Sequence, residues 1–410
     1  MSIWKGKKQR FAQRLIENIK EISFINKEGK LSYYGGFNAS PYDFLSECIN
    51  LDSIPNYTID TDMHRLVKDV IKNLILSDQE INESSFVRKF HLLKINPIYQ
   101  ETKHFQVVVE AFLKTAENQK YNINECEIRV LTKKFPRNSF LTKISHELMD
   151  TIFYVKCRGR NSSTAVDKAL SSINLLRSIW YLSAPSTIKI EGLESQIKPN
   201  NPVEINNYCY FLEENIFDPY KKQIANFTKD TNSQTCSNLD VTILKNSQKL
   251  IKSLNRIKKF NQKYYQLLTN SMIQYFNALD SMDRTNSLPL LWGALETLGK
   301  KGDDGKYDEL INRCSFLFKD NEDKKNILEI VKDHRNNYVH YGNDNVSLRK
   351  LLMINTEQIY RQLFKFHIYQ ALEKKSFEDT LEFLSLPCDK DSLTEKKKII
   401  SKAIRYRTVK

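Results

Sequence analysis

One segment of the chain brings together the residue types that cleavage of a phosphodiester requires: Asp333-His334-Arg335-Asn336-Asn337-Tyr338-Val339-His340-Tyr341-Gly342. His340 offers an imidazole able to take and give a proton near pH 7. Arg335 offers a fixed positive charge. Asn336 lies four residues before His340, which on a helix is the same face one turn away, so its amide can bond the imidazole or a phosphate. Arg335 lies five residues before His340, about 140° around a helix that turns ~100° per residue. Two arrangements close that gap. The long guanidinium arm reaches part of the way within one chain, or the arginine of one subunit meets the histidine of another across a dimer interface. Each combines a base, an acid and a charge that stabilises the phosphorane, as attack by RNA's own 2′-hydroxyl demands. That route calls for no metal.

These residues need a helix that ends near Gly342, because glycine readily takes the conformation that stops one. His340 then falls in the last turn, where the negative end of the helix dipole favours its protonated form. Glu296, next to the apolar Leu295, is a candidate to orient Arg335, or else a surface carboxylate; His334 either lines the same cleft or faces solvent. Arg361 and His367 repeat the pairing more loosely, but Ile359, Leu363, Phe364 and Phe366 around them describe a core face. His146-Glu147-Leu148-Met149-Asp150 lacks the second histidine of a zinc-protease helix. Gly35-Gly36 and Gly299 to Gly302 lack the spacing and the lysine of a phosphate-binding loop. Arg158-Gly159-Arg160 is a phosphate contact or a plain basic turn. A basic C-terminal stretch with Lys396, Lys397, Lys398, Arg405 and Arg407 is a candidate to hold RNA, or a solvated face.

Around the segment, strand signals vanish after about Leu239, and helices are expected at 241–280, 287–299, 322–341, 346–373, 376–386 and 391–405. Upstream, helices are expected at 4–25, with Phe11, Leu15, Ile19 and Ile22 on one face, at 62–77, and after a Ser84 or Ser85 cap. Short β-branched and aromatic runs at 105–112, 127–132, 152–158 and 187–190 read as strands, with a helix at 164–182 between the last two. The polar stretch Lys221 to Asn238 is the candidate linker. The expected class is α+β, mostly helical: a mixed module over 1–235 followed by an all-helical module over 240–410.

The net charge of +14 favours a polyanionic partner. Seven scattered cysteines with no Cys-x-x-Cys pair indicate reduced thiols and no zinc site. With no signal-like start and no apolar run near the ~20 residues of a membrane span, a cytoplasmic protein without a membrane partner is expected.

The Arg335-Asn336-x-x-x-His340 motif, together with the upstream helix Leu288-Pro289-Leu290-Leu291-Trp292-Gly293-Ala294-Leu295-Glu296-Thr297-Leu298, resembles the HEPN domains of bacterial immunity and toxin proteins. With the mixed module in front, the layout is most similar to the Apea-like HEPN proteins of abortive phage infection. The resemblance covers residues 240–373, and the N-terminal half only in architecture. It implies a four-helix core, a homodimer with a composite site, and cofactor-free RNase activity on RNA. Arg335, Asn336 and His340 would be its catalytic residues, and a phage-derived trigger or an antitoxin its candidate regulator. The other reading is a HEPN module that only dimerises and binds nucleic acid or a partner.

Overall fold

The structure, a computed structural model, describes residues 3–34, 41–50, 63–93, 102–114, 118–132, 139–144, 151–184, 203–214, 219–224, 237–280, 284–301, 306–341 and 346–408. Mostly helical with one main sheet, it fits the expected α+β class. Two compact units divide the chain: Met1–Phe105 with Arg158–Ala165 and Glu213–Asn215, and Gln106–Cys157 with Val166–Leu212 and Ile216–Lys410. The sheet therefore belongs with the C-terminal helices, and the units do not divide at the 235–240 stretch where the sequence suggested a boundary.

The first unit is a small helical cluster. α1 (Gln9–Ile22) buries Ala12, Leu15, Ile16 and Ile19. Phe11, expected on that face, is 50% exposed, so the apolar stripe is rotated away from it. The helix is shorter than 4–25 because Trp4 bridges to Ile49 and because β1 (Ser23–Ile25) pairs antiparallel with β2 (Leu31–Tyr33). That hairpin is turned by Asn26, whose side chain accepts from the amides of Glu28 and Lys30. α2 (Pro41–Glu47), α3 (Met63–Leu76) and α4 (Glu83–Leu93) complete the core. Asn82, not Ser84 or Ser85, caps α4. Its side chain accepts from the Ser85 amide at 2.9 Å while the Ser85 hydroxyl accepts from the Asn82 amide at 3.0 Å, a reciprocal cap that satisfies two orphan donors.

The second unit opens with the sheet. Its strands are β3 (Lys103–Lys114), β4 (Gln119–Ile123), β5 (Cys126–Thr132), β6 (Thr151–Gly159), β7 (Glu204–Glu213), β8 (Tyr220–Gln223) and β9 (Ser237–Asn238). They run in the order β4-β5-β6-β3-β7-β8, with β9 parallel to the end of β3. The expected strand at 187–190 lies outside the described residues, as does His146 to Asp150. One face of the sheet packs on α6 (Ser162–Ser183): Trp180 stacks on Phe153 and meets Tyr121 edge-on, both at 5.9 Å between centroids. The other face buries Val108, Leu131, Ile152 and Tyr154 against Phe140, Leu141 and Ile144 of α5 (Ser139–Ile144).

The helices that follow are α7 (Val241–Phe260), α8 (Gln262–Asp280), α9 (Arg284–Gly299), α10 (Tyr307–Ser315), α11 (Asn321–Tyr341), α12 (Val346–Leu372), α13 (Phe377–Leu384) and α14 (Lys390–Thr408). The single helix expected over 241–280 is broken at Asn261, whose extended backbone ends α7 and whose side chain accepts from the Tyr264 amide at 2.9 Å to start α8. α12 is the central rod. It packs on α9, α11 and α7, and its Glu357 accepts from the hydroxyls of Tyr181 at 2.8 Å and Tyr275 at 3.0 Å. Burial first, and then the Glu357 charge, raises the pKa of both tyrosines, so they remain donors. Arg361, 6% exposed, donates to the carbonyls of Tyr181, Leu182 and Ala184 at 3.2, 3.3 and 2.5 Å. The Leu182 and Ala184 carbonyls are orphan acceptors at the end of α6, where a cation also meets the helix dipole, while that of Tyr181 also accepts from the Ala184 amide at 3.1 Å. Arg177, 1% exposed, ties the middle of α6 to the end of α8 through Asp280 at 2.8 Å.

Candidate functional site

Arg335 lies near the C-terminal end of α11, half-buried. One terminal nitrogen donates to the Asn336 side-chain oxygen at 3.0 Å and, at 3.5 Å, to the Tyr307 hydroxyl. Its guanidinium carbon is 5.9 Å from the centre of the Tyr307 ring. The Nζ of Lys300 is 4.0 Å from the same ring centre. One aromatic ring thus holds two cations, each within the ~6 Å over which a ring quadrupole attracts positive charge. Tyr307 is kept in place by Trp292 of α9, 6.1 Å away between centroids.

Glu296 belongs to this cluster by a different route from the expected one. Its Oε1 accepts from Trp292 Nε1 at 3.1 Å and pairs with Lys300 Nζ at 3.3 Å. The carboxylate therefore braces Lys300, and Arg335 is reached only through Tyr307. Glu296 is neither a plain surface carboxylate nor a direct partner of Arg335, since its side chain is only 25% exposed. One turn before Arg335, Lys332 pairs with Glu329 and, at 3.8 Å, with Asp308. The Glu329 contact leads in raising its pKa, which keeps a further positive charge on this stretch of α11.

The backbone of α11 continues to Tyr341, so His340 is placed in its last turn as the motif required. The side chains of 337–341, His340 among them, lie outside the described residues. His334 is half-buried. Asn336 meets Arg335 at its own side chain and so fixes the guanidinium.

The basic C-terminal residues are elsewhere. Lys396, Lys397, Lys398, Arg405 and Arg407 are all exposed on α14, which buries none of its 19 residues. Lys396 lines a cavity of about 520 Å³ with Asn321, Glu322 and Lys325, at the beginning of α11. Arg335 is 14 residues further along that helix, or about 21 Å at ~1.5 Å per residue. Arg361 and His367 are core residues. His367 is wholly buried, bonds the Tyr264 hydroxyl at 2.7 Å, and is pushed down to a pKa of about 3 by burial. Arg158 is exposed near the end of β6, and Gly159 is there for space: a Cβ would meet the Ala165 backbone nitrogen at 2.8 Å.

Sequence reading missed Lys300 and Tyr307, and it named Trp292 only as part of the upstream helix. Lys300 had a signal, four residues after Glu296 on the same helical face. Tyr307 had none, because it opens a nine-residue helix with no apolar repeat long enough to notice. As built, the cluster can hold an anion beside a helix end with Arg335 and Lys300. Among the described residues no three His, Cys, Asp or Glu side chains gather as a metal site, and no helix is long and apolar enough to cross a membrane. No family model matches the chain, and no curated protein and no solved structure matches it.

Proposed function

We propose that the chain is a metal-independent endoribonuclease of the HEPN type that cleaves RNA through its 2′-hydroxyl, in the setting of bacterial defence against phage. The observation that carries this reading is Arg335, five residues before His340 on α11, held by Asn336 and sharing the Tyr307 ring with Lys300. Arg335 neutralises the scissile phosphate and the phosphorane, with Lys300 adding charge beside it. His340 accepts the 2′-hydroxyl proton or returns one to the leaving 5′-oxygen. Asn336 holds the guanidinium in place. Because Arg335 and His340 are spread around α11, a second copy completes the site, and the working form is a homodimer with the two α11 helices facing across a two-fold axis. The remainder of the chain restrains the site, or recruits substrate, until a phage-derived signal arrives.

Incubating RNA with the wild type and with His340→Ala, in EDTA, tests the reading. The wild type is expected to leave 2′,3′-cyclic phosphate and 5′-hydroxyl ends, and the variant to leave RNA intact. Strict Mg²⁺ dependence with 5′-phosphate products overturns the mechanism. A second reading, a binding module without catalysis, draws on the fact that the Arg335 bonds to Tyr307 and Asn336 are ones a structural arginine also makes. Intact RNA with the wild type, together with RNA binding that Arg335→Ala leaves unchanged, selects it.

A further inference from the structure

The β5–β6 ladder pairs Glu127 with Lys156, and the next step along it sets Cys126 directly opposite Cys157. Residues opposite one another on antiparallel strands have Cα atoms about 4.5–5.5 Å apart, inside the ~4.4–6.8 Å that a disulfide spans. The two side chains also share a face. Val155 and Phe153 alternate with Cys157, Ile128 and Val130 alternate with Cys126, and Phe153 stacks on Trp180 of α6. Both thiols are therefore trapped between the sheet and α6, 1% and 4% exposed, and they hydrogen-bond each other.

We propose that Cys126 and Cys157 are a thiol modification site, closed reversibly into a cross-strand disulfide by hydrogen peroxide. Two features give the cysteines different roles. The Cys157 hydrogen bond, helped by Ser172 and the Lys168 charge, lowers the pKa of the Cys126 thiol. Cys157 is raised, by its partner first and by burial next, and keeps its proton. Cys126, at the end of the hairpin directly after Asn124 and Glu125, is the thiolate that attacks peroxide oxygen. The O–O bond breaks, Cys126 becomes a sulfenic acid and one water leaves. Cys157 next attacks the sulfenic sulfur, its proton leaves with the departing hydroxyl as a second water, and the S–S bond forms. Two thiols and one peroxide thus give one disulfide and two waters. Peroxide is little larger than water. Cys126 directly follows the turn residues Asn124 and Glu125, both at positive φ, 49° and 62°, so the thiol lies at the end of the hairpin and not in its middle. Cys209, by contrast, stands opposite Lys222 and has no cysteine across from it.

The test needs no enzymatic activity. The full chain is treated with hydrogen peroxide, alkylated, digested and mapped by mass spectrometry. The expected product is a peptide pair joined through Cys126 and Cys157, lighter by two hydrogens and separated by dithiothreitol, with Cys209 and Cys314 recovered as alkylated thiols after unfolding. Cys126→Ser is expected to remove the link and leave Cys157 a thiol. If circular dichroism shows that this variant does not fold, the wild-type map decides alone. The proposal is overturned if both cysteines stay thiols at peroxide levels that oxidise the exposed Cys388. It is also overturned if Cys126 passes to the sulfinic acid without a link, or joins a different cysteine.

Discussion

Replacing Arg361 by Met removes a buried charge that three carbonyls and one carboxylate depend on. Arg361 and Glu357 are 7% and 5% exposed at their side chains and 3.7 Å apart, so solvent does little to screen them. Losing one partner of such a pair costs about 3–5 kcal/mol, because the other charge stays buried without its counterion. Here the Tyr181 and Tyr275 hydroxyls still solvate Glu357, which argues for the lower half of that range. The Leu182 and Ala184 carbonyls at the end of α6 lose their donor as well, at about 1–3 kcal/mol for each buried group left unsatisfied, not additively, while that of Tyr181 keeps the Ala184 amide. A total near 4 kcal/mol is the expectation, or a fall in Tm of about 6–7 °C at the ~1.6 °C per kcal/mol that ~2.1 cal/mol/K per residue gives for a unit of about 300 residues. Urea unfolding followed by circular dichroism measures it. Adding Glu357→Gln removes the stranded charge but keeps an acceptor for both tyrosines, so the double variant should regain about 2 kcal/mol. A cost below about 1 kcal/mol for Arg361→Met, or a double variant no more stable than the single one, refutes the reasoning.

Other expectations follow from the same contacts. His367 has a folded pKa of about 3 against the ordinary 6.5, so between those values the unfolded chain binds more protons than the folded one. Its stabilising effect is therefore complete above pH 6.5 and declines as pH falls, by about 1.4 kcal/mol per pH unit. Unfolding free energies from urea titration at pH 7 and pH 5 should differ by about 2 kcal/mol more for the wild type than for His367→Gln; equal differences would show that the imidazole does not titrate this way. Tyr307→Ala removes the ring shared by Lys300 and Arg335, and RNA cleavage should drop about tenfold or more, since a cation–π contact is worth ~1–2 kcal/mol. Unchanged kcat/KM would separate Tyr307 from the site. Ending the chain at Asp389 removes α14, which buries nothing, and should leave Tm unchanged. The same truncation should flatten the salt dependence of RNA binding, by about 3 in log–log slope if four phosphate contacts are lost. An unaltered slope would show that α14 does not hold RNA.

Much of the helical half was legible because its apolar repeats are long. α6, α9, α11 and α12 each run 16 residues or more, enough for the 3.6-residue period to stand out. What escaped reading was decided by one residue or by distant ones. Asn261 divides α7 from α8 through a cap, and asparagine within a helical pattern does not announce that role. β7 hides because Asn206 and Asn207 interrupt its apolar run; Asn206 is there to bond the buried Glu110 on β3. The motif itself was visible as letters, and so was the helix that carries it. The contacts that brace Arg335 were not, since Tyr307 is 28 residues away and reaches it only after α10 and α11 fold together. The facing of Cys126 and Cys157 depends on a strand register that no local pattern states.

The clamp by which Arg361 closes the end of α6 also sets a schedule for synthesis. Ala184 and the arginine that bonds its carbonyl are 177 residues apart. At about 5–20 residues per second, a ribosome makes that stretch in roughly 9–35 s. Throughout that interval α6 has emerged with its Leu182 and Ala184 carbonyls open to water and the Trp180 face ready to pack, while Glu357 and Arg361 do not yet exist as chain. The sheet can form early, and Arg177 can hold α6 to Asp280 once α8 is made, but the C-terminal end of that covering helix is closed by Arg361 only when α12 arrives. A nascent chain halted before residue 357 should therefore remain open to protease near Ser183, and one released after residue 372 should not.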